Sequence, residues 1–173
     1  MTPLQVDVLR QFRTLGIRHL LIGAQAMRAR GIDRPTRDLD LWIARDLANA
    51  EAMTRFLQRV QNRPPLERLQ KPNFKFTVGD PARPEVDILT SVAGDPDFED
   101  CLARSQQLDL EGHQLQVMAT ADLLAVKEAS AEVIDRDAAN FDLSEQDRAS
   151  AAHTAAKERR DLGFLRLLLM AGG

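Results

Sequence analysis

Asp38 and Asp40 stand two residues apart in Asp38-Leu39-Asp40-Leu41-Trp42-Ile43, two carboxylates set into an apolar run. In an extended strand alternate side chains share a face, which places this pair about 7 Å apart on one side. Neighbouring anions repel and lose hydration, and a divalent cation between them is the simplest remedy. Asp87 repeats the anomaly in Val86-Asp87-Ile88-Leu89, a lone acid in an apolar segment. Gly23-Ala24 follows another apolar run and opens a helix-forming stretch. Each feature has a structural alternative: a strand-to-helix turn at Gly23, a strand-starting turn residue at Asp38, a hydrogen-bonded edge residue at Asp87. Three acids on adjacent strands are harder to explain singly, because together they concentrate three negative charges in one place.

Positioning these residues requires a sheet. Leu4, Val8, Leu9, Phe12 and Leu15 recur at helical spacing up to Gly16. Residues 17–22 read as a buried strand, 24–30 as a short helix, 31–37 as a loop and 38–44 as a second strand. Asp46 is placed to cap a helix running to about residue 60. The proline-containing segment 61–72 reads as an exposed connection, and Phe74, Phe76 and Val78 as an alternating strand. Residues 79–84 read as a turn, 85–90 as a strand carrying Asp87, and 96–103 as a short helix. Residues 107–110 and 114–118 flank Glu111-Gly112-His113 as a hairpin. Beyond it, Thr120 caps a helix over 121–133, residues 135–143 are less regular, a second helix starts after Ser144, and the last runs over 157–170. The expected class is α/β (α+β in stricter usage).

The whole chain narrows the function classes. Its 173 residues fit one domain with a helical appendage, and its net charge of −3 disfavours a general nucleic-acid coat while permitting a local basic patch. A single cysteine, Cys101, excludes an internal disulfide and reads as a small core residue. No apolar stretch suits a membrane span and no secretory signal is visible, so the expected location is cytoplasmic, with no membrane partner. His19, His113 and His153 lack metal-ligand spacing, and no Walker loop or dinucleotide fingerprint is present.

Leu21-Ile22-Gly23-Ala24, followed by Arg34-Pro35-Thr36-Arg37-Asp38-Leu39-Asp40-Leu41, resembles the signature of the nucleotidyltransferase superfamily with the DNA polymerase beta-like fold. The similarity is greatest to bacterial minimal nucleotidyltransferases and to the abortive-infection and toxin–antitoxin types. Val86-Asp87-Ile88-Leu89-Thr90-Ser91 resembles their third-acid strand, residues 108–117 their next hairpin, and residues 121–127, ending in Lys127, the helix after it. Arg160-Asp161-Leu162 is similar to a later Lys-Asp-Leu, so the resemblance spans nearly all of residues 17–168. It implies a mixed β-sheet of the nucleotidyltransferase type flanked by helices. A core over 1–118 and a helical C-terminal region over 119–173 would pack as one unit.

The resemblance also implies chemistry. A nucleoside triphosphate would be attacked at its α-phosphate and lose pyrophosphate, with two Mg²⁺ ions, or Mn²⁺, about 3.5–4 Å apart. Asp38 and Asp40 would hold both metals. Asp87 would bind the catalytic one and help deprotonate the acceptor hydroxyl. Gly23, Ala24, Arg34, Thr36 and Lys127 would meet the nucleotide. The acceptor would be RNA such as tRNA, a protein or a small molecule, in a toxin–antitoxin or phage-defence setting. The alternative is a catalytically weak or inactive member of the same fold, serving as a binding module towards a cognate toxin or antitoxin. Two departures from the pattern bear on this. Ala24 replaces the second glycine or serine, keeping the N–H but losing the hydroxyl and glycine's freedom. Residues 132–156 read as an insertion, and Phe164 stands where a second acid is common.

Basic residues form two groups. Arg28, Arg30, Arg34 and Arg37 lie between the phosphate turn and the acids, as a complement to a triphosphate or as solvated side chains. Arg55, Arg59, Arg63, Arg68, Lys71 and Lys75 form a second stretch, read as a solvated face before a nucleic-acid track.

Overall fold

The N-terminal helix, α1 (Pro3–Leu15), is set at both ends by its sequence. Thr2 and Gln5 form a capping box, each side chain accepting the other's backbone N–H, and Gly16 closes the last turn at φ +66°. The computed structural model describes residues 1–58, 63–80, 83–138 and 144–172. They form two compact units, Met1–Met118 and Ala119–Gly173.

In the first unit α1 is followed by β1 (His19–Ile22), α2 (Gly23–Arg28), β2 (Leu39–Ile43), α3 (Leu47–Leu57) and α4 (Leu66–Leu69). Next come β3 (Lys75–Asp80), β4 (Arg83–Leu89), α5 (Phe98–Arg104), β5 (Gln106–Leu110) and β6 (His113–Val117). The strands form one mixed sheet in the order β3-β4-β2-β1-β6-β5. β2 runs parallel to β4 and β1 parallel to β6, while the remaining neighbours are antiparallel. The architecture is therefore mixed α/β, a sheet flanked by helices, with a helical C-terminal part.

Alternation along β2 decides which side chains enter the core. Leu39, Leu41 and Ile43 face one side with Leu21 of β1 and Val86 and Ile88 of β4, and none of the six is more than 1% exposed. α1 and α3 cover this face. Phe12 of α1 meets His19 edge-on at 5.1 Å and Phe56 of α3 at 5.0 Å, measured between ring centroids. Each buried Leu or Ile contributes ~1.5–3 kcal/mol. A one-residue slip of β2 would exchange these residues for Asp40 and Trp42, so the register is held firmly. On the opposite face Trp42 is closed over by Phe98 of α5, ring centroids 4.9 Å apart, and its indole N–H donates to the Thr90 carbonyl at 3.3 Å.

The second unit pairs two helices, α6 (Thr120–Ala138) and α7 (Glu145–Met170), the latter capped by Ser144, whose Oγ accepts from the Asp147 N–H at 3.1 Å. Ion pairs Arg159–Asp135 and Arg166–Glu128 link the helices in antiparallel order. No helix among the described residues is long and apolar enough to cross a membrane.

Several boundaries differ from the sequence expectation. Within 61–72, expected as a connection, α4 forms because Leu69 is fully buried and anchors it; residues 61–62 lie outside the described residues. The expected turn over 79–84 is partly strand: β3 runs to Asp80 and β4 starts at Arg83, while 81–82 lie outside the described residues. α6 continues to Ala138, past the expected end near 133, and 139–143 lie outside the described residues. Instead of two helices after Ser144 there is one, since the alanine-rich stretch near 150–156 offers no break and favours helix. On that helix Leu162 and Leu165 are buried but Phe164, Leu167 and Met170 are exposed, so the apolar run encircles the helix rather than lining one core face.

Candidate active site

Register places the acids. β1, β2, β4 and β3 align Ile22, Asp40, Asp87 and Thr77 as consecutive partners across the sheet. Asp40 and Asp87 therefore project from the same face of neighbouring parallel strands, with backbones about 4.8 Å apart. This is the face on which Trp42, two residues along β2, is sealed by Phe98. The same face thus changes from closed aromatic packing to paired carboxylates within two residues. Asp40 is partly exposed, whereas Asp87 is 6% exposed.

A buried carboxylate needs compensation. Asp87 receives it from β3: Thr77 Oγ1 donates to Oδ1 at 2.8 Å, and the Lys75 ammonium lies 2.6 Å from Oδ2. The two donors are alternate residues of one strand, so both fall on the acid face. Lys75 itself is 56% exposed along its side chain, and its charge reaches in from solvent.

Gly23 is fixed by Asp40. It begins α2 at φ +66°, and a Cβ built there would collide with Asp40 Oδ2. Any other residue would be strained by the left-handed backbone and would displace the carboxylate. The glycine turn and the Asp40 carboxylate therefore form one packed arrangement. No side chain caps the start of α2, where Ala24 is the second residue.

Asp38 precedes β2 rather than starting it, and is partly exposed. The preceding carbonyl, of Arg37, is held by Gln5, a residue the sequence did not single out. Gln5 is 1% exposed, and its Nε2 donates to the Arg37 carbonyl at 2.6 Å and to the Glu85 carbonyl at 2.9 Å. One carbonyl lies directly before Asp38 and the other two residues before Asp87. A single buried amide from α1 thus ties both acid-bearing segments together. The only sequence signal for it was the capping box with Thr2, which explains its side-chain oxygen and neither bond from its nitrogen.

The cations between turn and acids separate by role. Arg30 donates to the carbonyls of Ala26 and Met118 and joins α2 to the end of β6; burial pulls its guanidinium down to about 10. Arg28 pairs with Glu111 at 2.9 Å and donates to Gln25 Oε1 at 3.2 Å. Arg34 donates to the Pro35 carbonyl at 2.9 Å. A hollow of about 540 Å³ lies among Gln5, Gln25, Arg28, Thr36, Arg37 and Glu85. Lys127 is engaged inside the second unit, its ammonium 2.9 Å from both Glu158 Oε2 and Asp161 Oδ2.

The donor chemistry suits a hard divalent cation: Asp40 and Asp87 offer carboxylate oxygens from adjacent strands, with Asp38 close in sequence. Among the described residues no three His, Cys, Asp or Glu side chains converge closely enough to hold a metal, and on Asp87 the compensating charge is that of Lys75. No protein-family model matches the chain, and no curated protein matches it in sequence.

Proposed function

We propose that this chain is a metal-dependent nucleotidyltransferase that moves a nucleoside monophosphate from a triphosphate to a hydroxyl. One observation carries the reading: Asp40 and Asp87 are register partners on one face, and the Asp40 carboxylate packs against the left-handed Gly23 turn. This adjacency of acid and glycine turn supports the reading, in which the acids would serve the reacting centre and the turn the phosphates. Asp40 and Asp87 would hold Mg²⁺, or Mn²⁺, with the partly exposed Asp38 turning in to join them, and the ion when bound neutralises charge on the triphosphate and sharpens the acceptor oxygen. Backbone N–H groups at Gly23 and Ala24, with Arg34 and Thr36, would bind the phosphates. The acceptor oxygen bonds to the α-phosphorus, the bond to the bridging oxygen breaks, and pyrophosphate leaves. Asp87 would take the hydroxyl proton. A toxin–antitoxin or phage-defence setting remains part of the proposal and follows from the resemblance alone.

The test is transfer of label from α-labelled triphosphates, each of the four in turn, to total tRNA, protein or small hydroxyl acceptors. The Asp38→Ala/Asp40→Ala double variant should lose at least about a thousandfold in rate while its circular dichroism is unchanged, since its acids contribute through charge in the reacting complex. Transfer at the wild-type rate in that variant would sink the assignment.

A specific observation favours a second reading. The Lys75 ammonium already neutralises Asp87, as expected of a catalytically weak relative acting as a binding module for a toxin or antitoxin partner. Calorimetry with each triphosphate and Mg²⁺ separates the two: heat of binding supports the enzyme, and its absence across all four supports the module.

A further inference from the structure

Sheet order leaves β3 at an edge, with one side of the strand facing away from β4. Along it lies a hollow of about 500 Å³ lined by Arg63, Phe74, Lys75, Phe76 and Thr77 among others. Consecutive β3 residues point to opposite faces, and an edge strand is where a ligand can touch both sets at once. Three properties of this hollow are unlike ordinary surface.

The first is aromatic. Phe74 and Phe76 are partly exposed, and their rings stack on each other at 5.8 Å with 30° between planes. Both line the hollow from the core side of the sheet edge, Phe76 beside its buried register partner Ile88, and the Arg68 guanidinium lies 5.6 Å from the Phe74 centroid. Cation, ring and ring thus already form a stack that a flat ligand can extend. The second is charge. Arg63 and Lys75 line the hollow and, among the described residues, no acidic residue does, although acids outnumber bases in the chain by 26 to 23. The third is location. Lys75 and Thr77, part of the wall, are the two side chains that hold Asp87. The part of an occupant that crosses the edge onto Lys75 and Thr77 therefore lies one side chain away from that carboxylate.

Stacking surfaces combined with cations and lacking acids match single-stranded nucleic acid, which has a π-face and a phosphate at every nucleotide. An extended peptide added to β3 would use backbone bonds and would need neither the rings nor the cations. We infer that this edge binds the unpaired end of an RNA acceptor, its bases on Phe74 and Phe76 and its phosphates on Arg63, Arg68 and Lys75. The inference rests on the nucleotidyltransferase reading and names the acceptor class for it.

Binding is measured on the full chain by fluorescence anisotropy of a short labelled single-stranded RNA, without triphosphate or metal, over a range of salt. The wild type should bind, and Phe74→Leu/Phe76→Leu should weaken binding about tenfold or more, as loss of base stacking does. Phe74→Tyr/Phe76→Tyr keeps the rings and should bind like the wild type. Arg63→Gln/Arg68→Gln should lower the slope of log Kd against log salt by about 0.7 for each phosphate that is no longer neutralised. A duplex of the same sequence, its bases already stacked, should bind more weakly than the single strand. The inference is overturned if the wild type does not bind RNA, if the Leu pair binds like the wild type, if the Tyr pair loses as much as the Leu pair, or if duplex binds as well. Failure here is separable from failure of the enzyme. RNA bound with no label transfer to any acceptor counts against catalysis alone. Label transferred to protein or a small molecule, with RNA unbound, counts against the platform alone.

Discussion

Two buried aspartates in this protein are each neutralised by a lysine, and they differ in whether that lysine can leave. In the helical unit Asp161 is fully buried, and its partner Lys127 is only 10% exposed along its side chain and shared with Glu158. In the sheet unit Asp87 is almost as buried, but Lys75 is 56% exposed. Removing Lys127 from its partners would strand ions in a low-dielectric interior, whereas Lys75 can swing into water while Thr77 keeps its bond to Asp87. The first pair is suited to holding two helices together. The second leaves a carboxylate that can be uncovered, beside another acid on the next strand.

The largest expected effect separates them on stability. Lys127→Met leaves Asp161 without its ammonium and should cost about 3–5 kcal/mol in urea unfolding, the range for breaking a buried pair from one side. A loss below about 1 kcal/mol would mean that Lys127 behaves as a surface lysine and that the contrast with Lys75 is unfounded.

The next effect concerns what keeps Asp87 in register with its neighbours. Gln5→Leu preserves side-chain bulk but leaves the carbonyls of Arg37 and Glu85 without the Nε2 donor. Both bonds are part-buried, so the loss of each costs about 0.5–1.5 kcal/mol. Because those carbonyls flank Asp38 and Asp87, label transfer should fall by more than the unfolded fraction explains. A rate that tracks only the folded fraction would reduce Gln5 to a structural residue.

How far this was legible in the sequence depends on range. Leu39, Leu41 and Ile43 alternate visibly, and from that pattern alone Asp40 had to face away from the core. The Asp46 and Ser144 caps and the turn at Gly112 are local signals, and they read directly. The row Asp40–Asp87–Thr77 is not local, because it needs β4 inserted between β2 and β3. Lys75 could be seen alternating with Phe74 and Phe76, yet nothing in the chain names the strand beside it. Gln5 was hidden for the same reason, with partners 32 and 80 residues away. α4 was missed because its three neighbouring prolines outweigh a four-residue helix in any local reading, while the burial of Leu69 is a tertiary fact.

The smallest effect is the sharpest test of the comparison. Lys75→Gln removes the charge and leaves Thr77 on Asp87. Because the lysine is exposed, the pair is worth ~1 kcal/mol or less, and unfolding should change by no more than that. A divalent cation arriving at Asp40 and Asp87 must displace the ammonium in the wild type and not in the variant. Mn²⁺ measured calorimetrically should therefore bind about two- to fivefold more tightly to Lys75→Gln, the same pair energy expressed as affinity. Lys127→Met, folded at low temperature, should leave Mn²⁺ affinity unchanged, because its lysine neutralises acids that stay buried. If Lys75→Gln binds Mn²⁺ no better than the wild type, Lys75 is not a counter-ion that a metal replaces. Asp87 would then be held for structure, as Asp161 is, and the binding-module reading would gain at the expense of the enzyme.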